Sequence, residues 1–78
     1  MAKFLLYSTS ACHLCEVAEA MLHAWQRAGG QVDYQVVDIA DSDELFERYG
    51  VRIPVLRHPD GRELNWPFGE DELASFLR

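Results

Sequence analysis

Positive charge is scarce in this chain. Seven Lys and Arg stand against 13 Asp and Glu, a net charge of −6 over 78 residues. No two Lys or Arg residues are adjacent. A cationic stripe for a phosphate backbone is therefore missing, which disfavours nucleic acid as a partner. Apolar runs are short as well. Phe4-Leu5-Leu6-Tyr7 is the longest near the start. It falls far below the roughly 18 residues that span a membrane and below the ~7–15-residue core of a signal peptide. The expectation is a cytoplasmic protein with no membrane association. Two cysteines are too few for the disulfide framework of small secreted domains. What is present is a globular composition, 49% hydrophobic and 12% aromatic. The length is about half a typical ~150-residue domain, so one domain over residues 1–78 is expected, near the limit for an unaided core.

Periodicity orders the elements. Residues 3–8 form an apolar run suited to a central strand buried on both faces. Leu14, Val17, Ala18, Met21, Leu22 and Trp25 make one apolar stripe at helical spacing, and Gly29-Gly30 ends that helix. Residues 31–39 alternate as a strand, with Val32, Tyr34 and Val36 on one face and Asp33, Gln35 and Val37 on the other. A second helix is expected from about Asp41 to Tyr49, with Asp41 and Glu44 as a variant capping box and Gly50 as its stop. Arg52 to Leu56 reads as a strand with Pro54 near its beginning. Pro59-Asp60-Gly61 is a turn, and Arg62 to Trp66 returns as a short strand. Gly69 leads into a last helix whose first turn holds Glu70, Asp71 and Glu72 and whose stripe is Leu73, Phe76 and Leu77. The order β-α-β-α-β-β-α predicts an α/β fold, a mixed four-stranded sheet with helices on both faces.

Cys12-His13-Leu14-Cys15 lies where the first strand hands over to the first helix. Thiol–disulfide exchange needs a thiolate, and a helix N-terminus favours an anion. Cys15 follows by nearly one turn on the same face, placed to attack a mixed disulfide formed at Cys12. In this reading Cys12 is the nucleophile and Cys15 the resolving thiol. Three other readings compete. A structural disulfide would close so small a loop that little chain entropy is removed. Zinc wants four ligands, and His13, His23 and His58 are scattered with no second C-x-x-C motif. Inert cysteines are the third, and redox chemistry is preferred to all of them.

With these residues assembled, the chain resembles a small glutaredoxin-like member of the thioredoxin superfamily. Phe4-Leu5-Leu6-Tyr7-Ser8, Cys12-His13-Leu14-Cys15, Arg52-Ile53-Pro54-Val55-Leu56 and Gly69-Glu70-Asp71-Glu72-Leu73 carry the resemblance, in order and over nearly the whole chain. It implies a thioredoxin-like, glutaredoxin-type three-layer sandwich. It implies a cis Ile53–Pro54 bond facing the active site, where the Ile53 backbone pairs with an extended substrate segment. Ser10, His13, Arg52, Gly69 and Glu70 join Ile53 and Pro54 as the substrate-side residues. A protonated His13 would stabilise a Cys12 thiolate, and Arg52 would meet a glutathione carboxylate. A solvent-facing His13, a solvated Arg52 and a plain strand-start Pro54 are the bland readings of the same residues. The sequence departs from the family pattern at three points: His13-Leu14 replaces Pro-Tyr, no base precedes the motif, and Phe68-Gly69 keeps one glycine of two. These departures retain the dithiol chemistry and weaken the case for a glutathione pocket. Phe68 is a candidate to occlude that pocket, and Trp66 with Phe68 forms either an apolar rim or packing under the last helix. The function expected is thiol–disulfide exchange by a monomer without bound cofactor, on protein disulfides, with glutathione as a candidate partner and reductant. The alternative is a non-catalytic binding or redox-sensing module.

Overall fold

In a computed structural model, residues 3–78 are described. The apolar run near the start becomes strand β1, Phe4–Ser8, at an interior position of the sheet. It pairs in parallel with β2, Tyr34–Asp38, in the register Leu6 with Val36. On its other side it pairs antiparallel with β3, Val55–Arg57, which pairs antiparallel with β4, Glu63–Asn65. The strand order β2-β1-β3-β4 is the mixed four-stranded sheet that the element pattern predicts. Helices α1, His13–Arg27, α2, Asp43–Tyr49, and α3, Glu70–Leu77, complete it.

Alternation along β1 divides the core in two. Leu6 packs with Leu56 of β3, Ala18 and Leu22 of α1, and Leu73 and Leu77 of α3. Tyr7 and Val55 point the other way, against Ile39 and Tyr49 at either end of the α2 region. The sheet is thus the middle of three layers. Leu6, Leu22, Ile39 and Leu56 are each at most 1% exposed. At roughly 1.5–3 kcal/mol for each large apolar side chain fully buried, these few residues supply a large part of the stabilisation.

The elements are shorter than their sequence patterns at several ends. Arg52 and Ile53 do not join β3. Both of their N–H groups donate to the Tyr49 carbonyl, at 2.8 and 3.1 Å, so they close the end of α2 instead. Pro54 then supplies no N–H for a ladder. The cap of α2 also moves. Ser42 Oγ, not Asp41, accepts from Leu45 N at 3.3 Å. Ile39–Asp41 form a 3₁₀ turn capped by Asp38, whose Oδ1 accepts from Ala40 N at 2.9 Å. Gly50 closes α2 in the right-handed helical region rather than the left-handed one. Gly29 does adopt positive φ, +97°, after α1. Gly30 serves differently: a Cβ there would collide with the Trp25 indole ring.

Candidate functional site

Backbone geometry places Cys12 at the tip of α1. Ala11 carries φ +59°, the only positive φ among the described non-glycine residues, and turns the chain sharply before the helix. Cys12 follows in extended conformation as the N-cap. Its Sγ accepts from Cys15 N at 3.2 Å, where a serine or aspartate side chain would otherwise cap. This N–H and the dipole of the helix N-terminus favour negative charge on the sulfur. Cys12 and Cys15 are joined as a disulfide with their Cα atoms 5.2 Å apart. Cys15 is buried at 3% exposure, and Cys12 is half-buried. Cys12 is therefore the more accessible cysteine of the pair. Among the described residues no group of three or more His, Cys, Asp or Glu side chains is arranged to hold a metal ion.

His13 is the first residue of α1, and its side chain is 85% exposed. Its Nδ1 lies 3.9 Å from Glu16 Oε2. The imidazole therefore has a carboxylate of its own helix as its charged neighbour.

Beside the disulfide motif lies a cleft of about 280 Å³, lined by Leu14, Val51, Arg52, Ile53, Asn65 and Trp66. The Ile53–Pro54 peptide is cis, as the resemblance implies, and Pro54 is fully buried. The Ile53 N–H is already donated to Tyr49 O. Arg52 is held in place. Its Nη2 donates to Glu63 Oε1 at 3.1 Å and to Asn65 Oδ1 at 2.9 Å, and its guanidinium stands 5.2 Å from the Tyr49 ring centre. Tyr49 is buried, stacks on Tyr7 at 4.3 Å and donates its hydroxyl to Glu63 Oε2. That hydrogen bond, and then the one from Arg52, hold the Glu63 carboxyl below its ordinary range against the opposing effect of burial. Burial pushes the Tyr49 phenol up, and the hydrogen bond to Glu63 adds to the shift.

The remaining predicted residues sit elsewhere. Ser10 is exposed and lines a shallow depression with Thr9, Val36 and Asp38. Gly69 caps α3, its N–H donating to Glu72 Oε1 at 3.0 Å. Glu70 borders a groove between α1 and α3 with Met21, Trp25 and Asp71. Phe68 does not occlude a substrate site, because it is buried in the core under α1 and α3. Trp66 combines both of its readings. It packs edge-on to Phe68 with ring centres 5.0 Å apart, and it also walls the cleft. A second cis bond, Trp66–Pro67, follows it, and sequence pattern gave no sign of this. Nor did it single out Tyr49, Glu63 or Asn65. The opposite charges of Arg52 and Glu63 were the available signal, but they lie 11 residues apart and meet only through the antiparallel β3–β4 turn.

The family model described as Glutaredoxin-like domain (DUF836) matches residues 3–78. The X-ray structure of the structural-genomics target protein XcR50 from X. campestris is similar at 40% identity and a TM-score of 0.77, covering 95% of this chain and 93% of that one. The solution NMR structure of protein Ne2328 from Nitrosomonas europaea is similar at 28% identity and a TM-score of 0.81, covering 99% and 92%. No curated protein matches the chain.

Proposed function

The chain belongs to the glutaredoxin-like domain family, and on that premise we propose that it is a thiol–disulfide oxidoreductase working through the Cys12–Cys15 couple. One observation carries this reading: the more accessible sulfur caps a helix N-terminus and accepts the N–H of the buried cysteine one turn on. In the reducing direction the Cys12 thiolate attacks a substrate disulfide, R–S–S–R′. The Cys12–S–R bond forms as the substrate bond breaks, and R′S⁻ leaves and takes a proton. The Cys15 thiolate then attacks Cys12 Sγ, releasing RS⁻. The substrate gains two electrons and ends as two thiols, and the protein ends as the Cys12–Cys15 disulfide. Two thiols of a reductant such as glutathione reverse the protein's oxidation and become a disulfide themselves. No bound cofactor enters the cycle. The reading places the protein in the cytoplasm as a monomer, acting on protein disulfides, because a reducing compartment keeps the couple turning over.

Two variants test it. Cys12→Ser should abolish reduction of a protein disulfide in a coupled assay. Cys15→Ser should leave a trapped mixed disulfide visible by mass spectrometry, because the first attack is intact and the second is missing. A wild-type protein that exchanges with no disulfide would overturn the reading in favour of a binding or sensing module.

A further inference from the structure

Among the residues lining the cleft beside the disulfide, Arg52 is the one cation, and it is engaged. Glu63 offers it one carboxylate oxygen and gives the other to Tyr49. Tyr49 is 1% exposed, so the Glu63 carboxylate cannot swing away without leaving a buried phenol unpaired. Both N–H groups of Arg52 Nη2 are taken, by Glu63 and by Asn65, so a carboxylate arriving on a substrate meets a guanidinium whose charge Glu63 already offsets. Asn65 is the other polar side chain of the lining, and the remaining four are apolar. Val51 is fully exposed and Leu14 is 46% exposed, alongside Ile53 and Trp66. These side chains offer apolar contact beside the C-x-x-C motif, to which Leu14 belongs. The Ile53 N–H is used internally, so an extended segment gains one backbone bond there rather than two.

Building on the oxidoreductase reading, we propose that Glu63 masks Arg52, so that the cleft selects disulfides within uncharged, apolar polypeptide segments and discriminates against anionic thiols of the glutathione type. Glu63 is a specificity-determining residue here, acting through Arg52. Its removal exposes a guanidinium that a substrate carboxylate can then use.

The experiment titrates S-methylglutathione, and separately its diamide with both carboxylates blocked, into the oxidised protein at low ionic strength. Glu63→Gln keeps an acceptor for Tyr49 and removes the charge. It should tighten S-methylglutathione by about three- to fivefold, the size of a partly exposed ion pair, and leave the diamide unchanged. Adding Arg52→Gln to that variant should erase the gain. Equal changes for both probes, no change for either, or no binding to any of the proteins would overturn the proposal. Turnover of an uncharged peptide disulfide is measured on the same preparations. Its absence would sink the oxidoreductase reading while leaving the charge comparison intact.

Discussion

Glu63 is the residue on which most of the cleft's polar structure depends, and its protonation can be followed in the stability of the whole protein. Hydrogen bonding from Tyr49, then from Arg52, lowers its carboxyl below the ordinary value of 4.5. A group depressed in the folded state contributes stability above its unfolded value and loses it as pH falls through the folded one. Wild type should therefore exceed Glu63→Gln in stability at pH 7, with the gap closing as pH drops below about 4.5. Urea midpoints at pH 7 and pH 3 check this. A gap of constant size across that range would show that the Tyr49 and Arg52 bonds do not favour the ionised carboxylate. The site is partly legible at this scale. C-x-x-C at a strand-to-helix junction identifies Cys12 and Cys15 because spacing and dipole act within one turn. The masking of Arg52 is not legible, because it needs the β3–β4 register to set Glu63 opposite Arg57 and within reach of the end of α2.

Among the elements, α1 depends on how its end meets the next strand. Gly29 takes the left-handed turn, and Gly30 lies flat against the Trp25 indole, its N–H donating to the Trp25 carbonyl at 2.9 Å. Nothing larger than hydrogen fits there. Gly30→Ala should cost about 1–3 kcal/mol, the usual range for overpacking, whereas Gly29, with open space around it, should object to alanine only through its backbone angle. Chemical denaturation of the two variants, followed by tryptophan fluorescence in a Trp66→Phe background so that Trp25 alone reports, separates the two causes. An unshifted midpoint for Gly30→Ala would mean that the indole simply moves aside. Element type and order were readable from periodicity, since each apolar stripe spans several turns or alternations. Ends were less so. Asp38, Asp41 and Ser42 are all competent caps, and only the intervening 3₁₀ turn decides that Ser42 serves α2 and Asp38 the turn before it. Likewise β3 starts late because Arg52 and Ile53 satisfy the Tyr49 carbonyl rather than a neighbouring strand.

At the scale of the whole molecule, charge and size together set how far the surface is felt at the cleft. The Cα trace extends 36 × 27 × 16 Å. At 0.01 M ionic strength the screening length is about 30 Å, so nearly every charge acts on an approaching substrate. At 0.15 M it is about 8 Å, and only groups near the cleft remain in play, chiefly the Arg52–Glu63 pair. The net charge of −6 should therefore steer substrates at low salt and lose that influence well before physiological salt. Reduction of a cationic peptide disulfide should slow by roughly three- to tenfold between 0.01 and 0.15 M. An anionic peptide of the same length should speed up, and a neutral one should hold constant. Glu63→Gln changes the total only from −6 to −5, so these slopes should barely move in that variant even as its preference for carboxylate-bearing ligands rises. Stopped-flow rates over a salt series, taken for the three peptides with both proteins, test the separation. If Glu63→Gln altered the slopes as strongly as the preference, Glu63 would be acting through the long-range field rather than through its contact with Arg52.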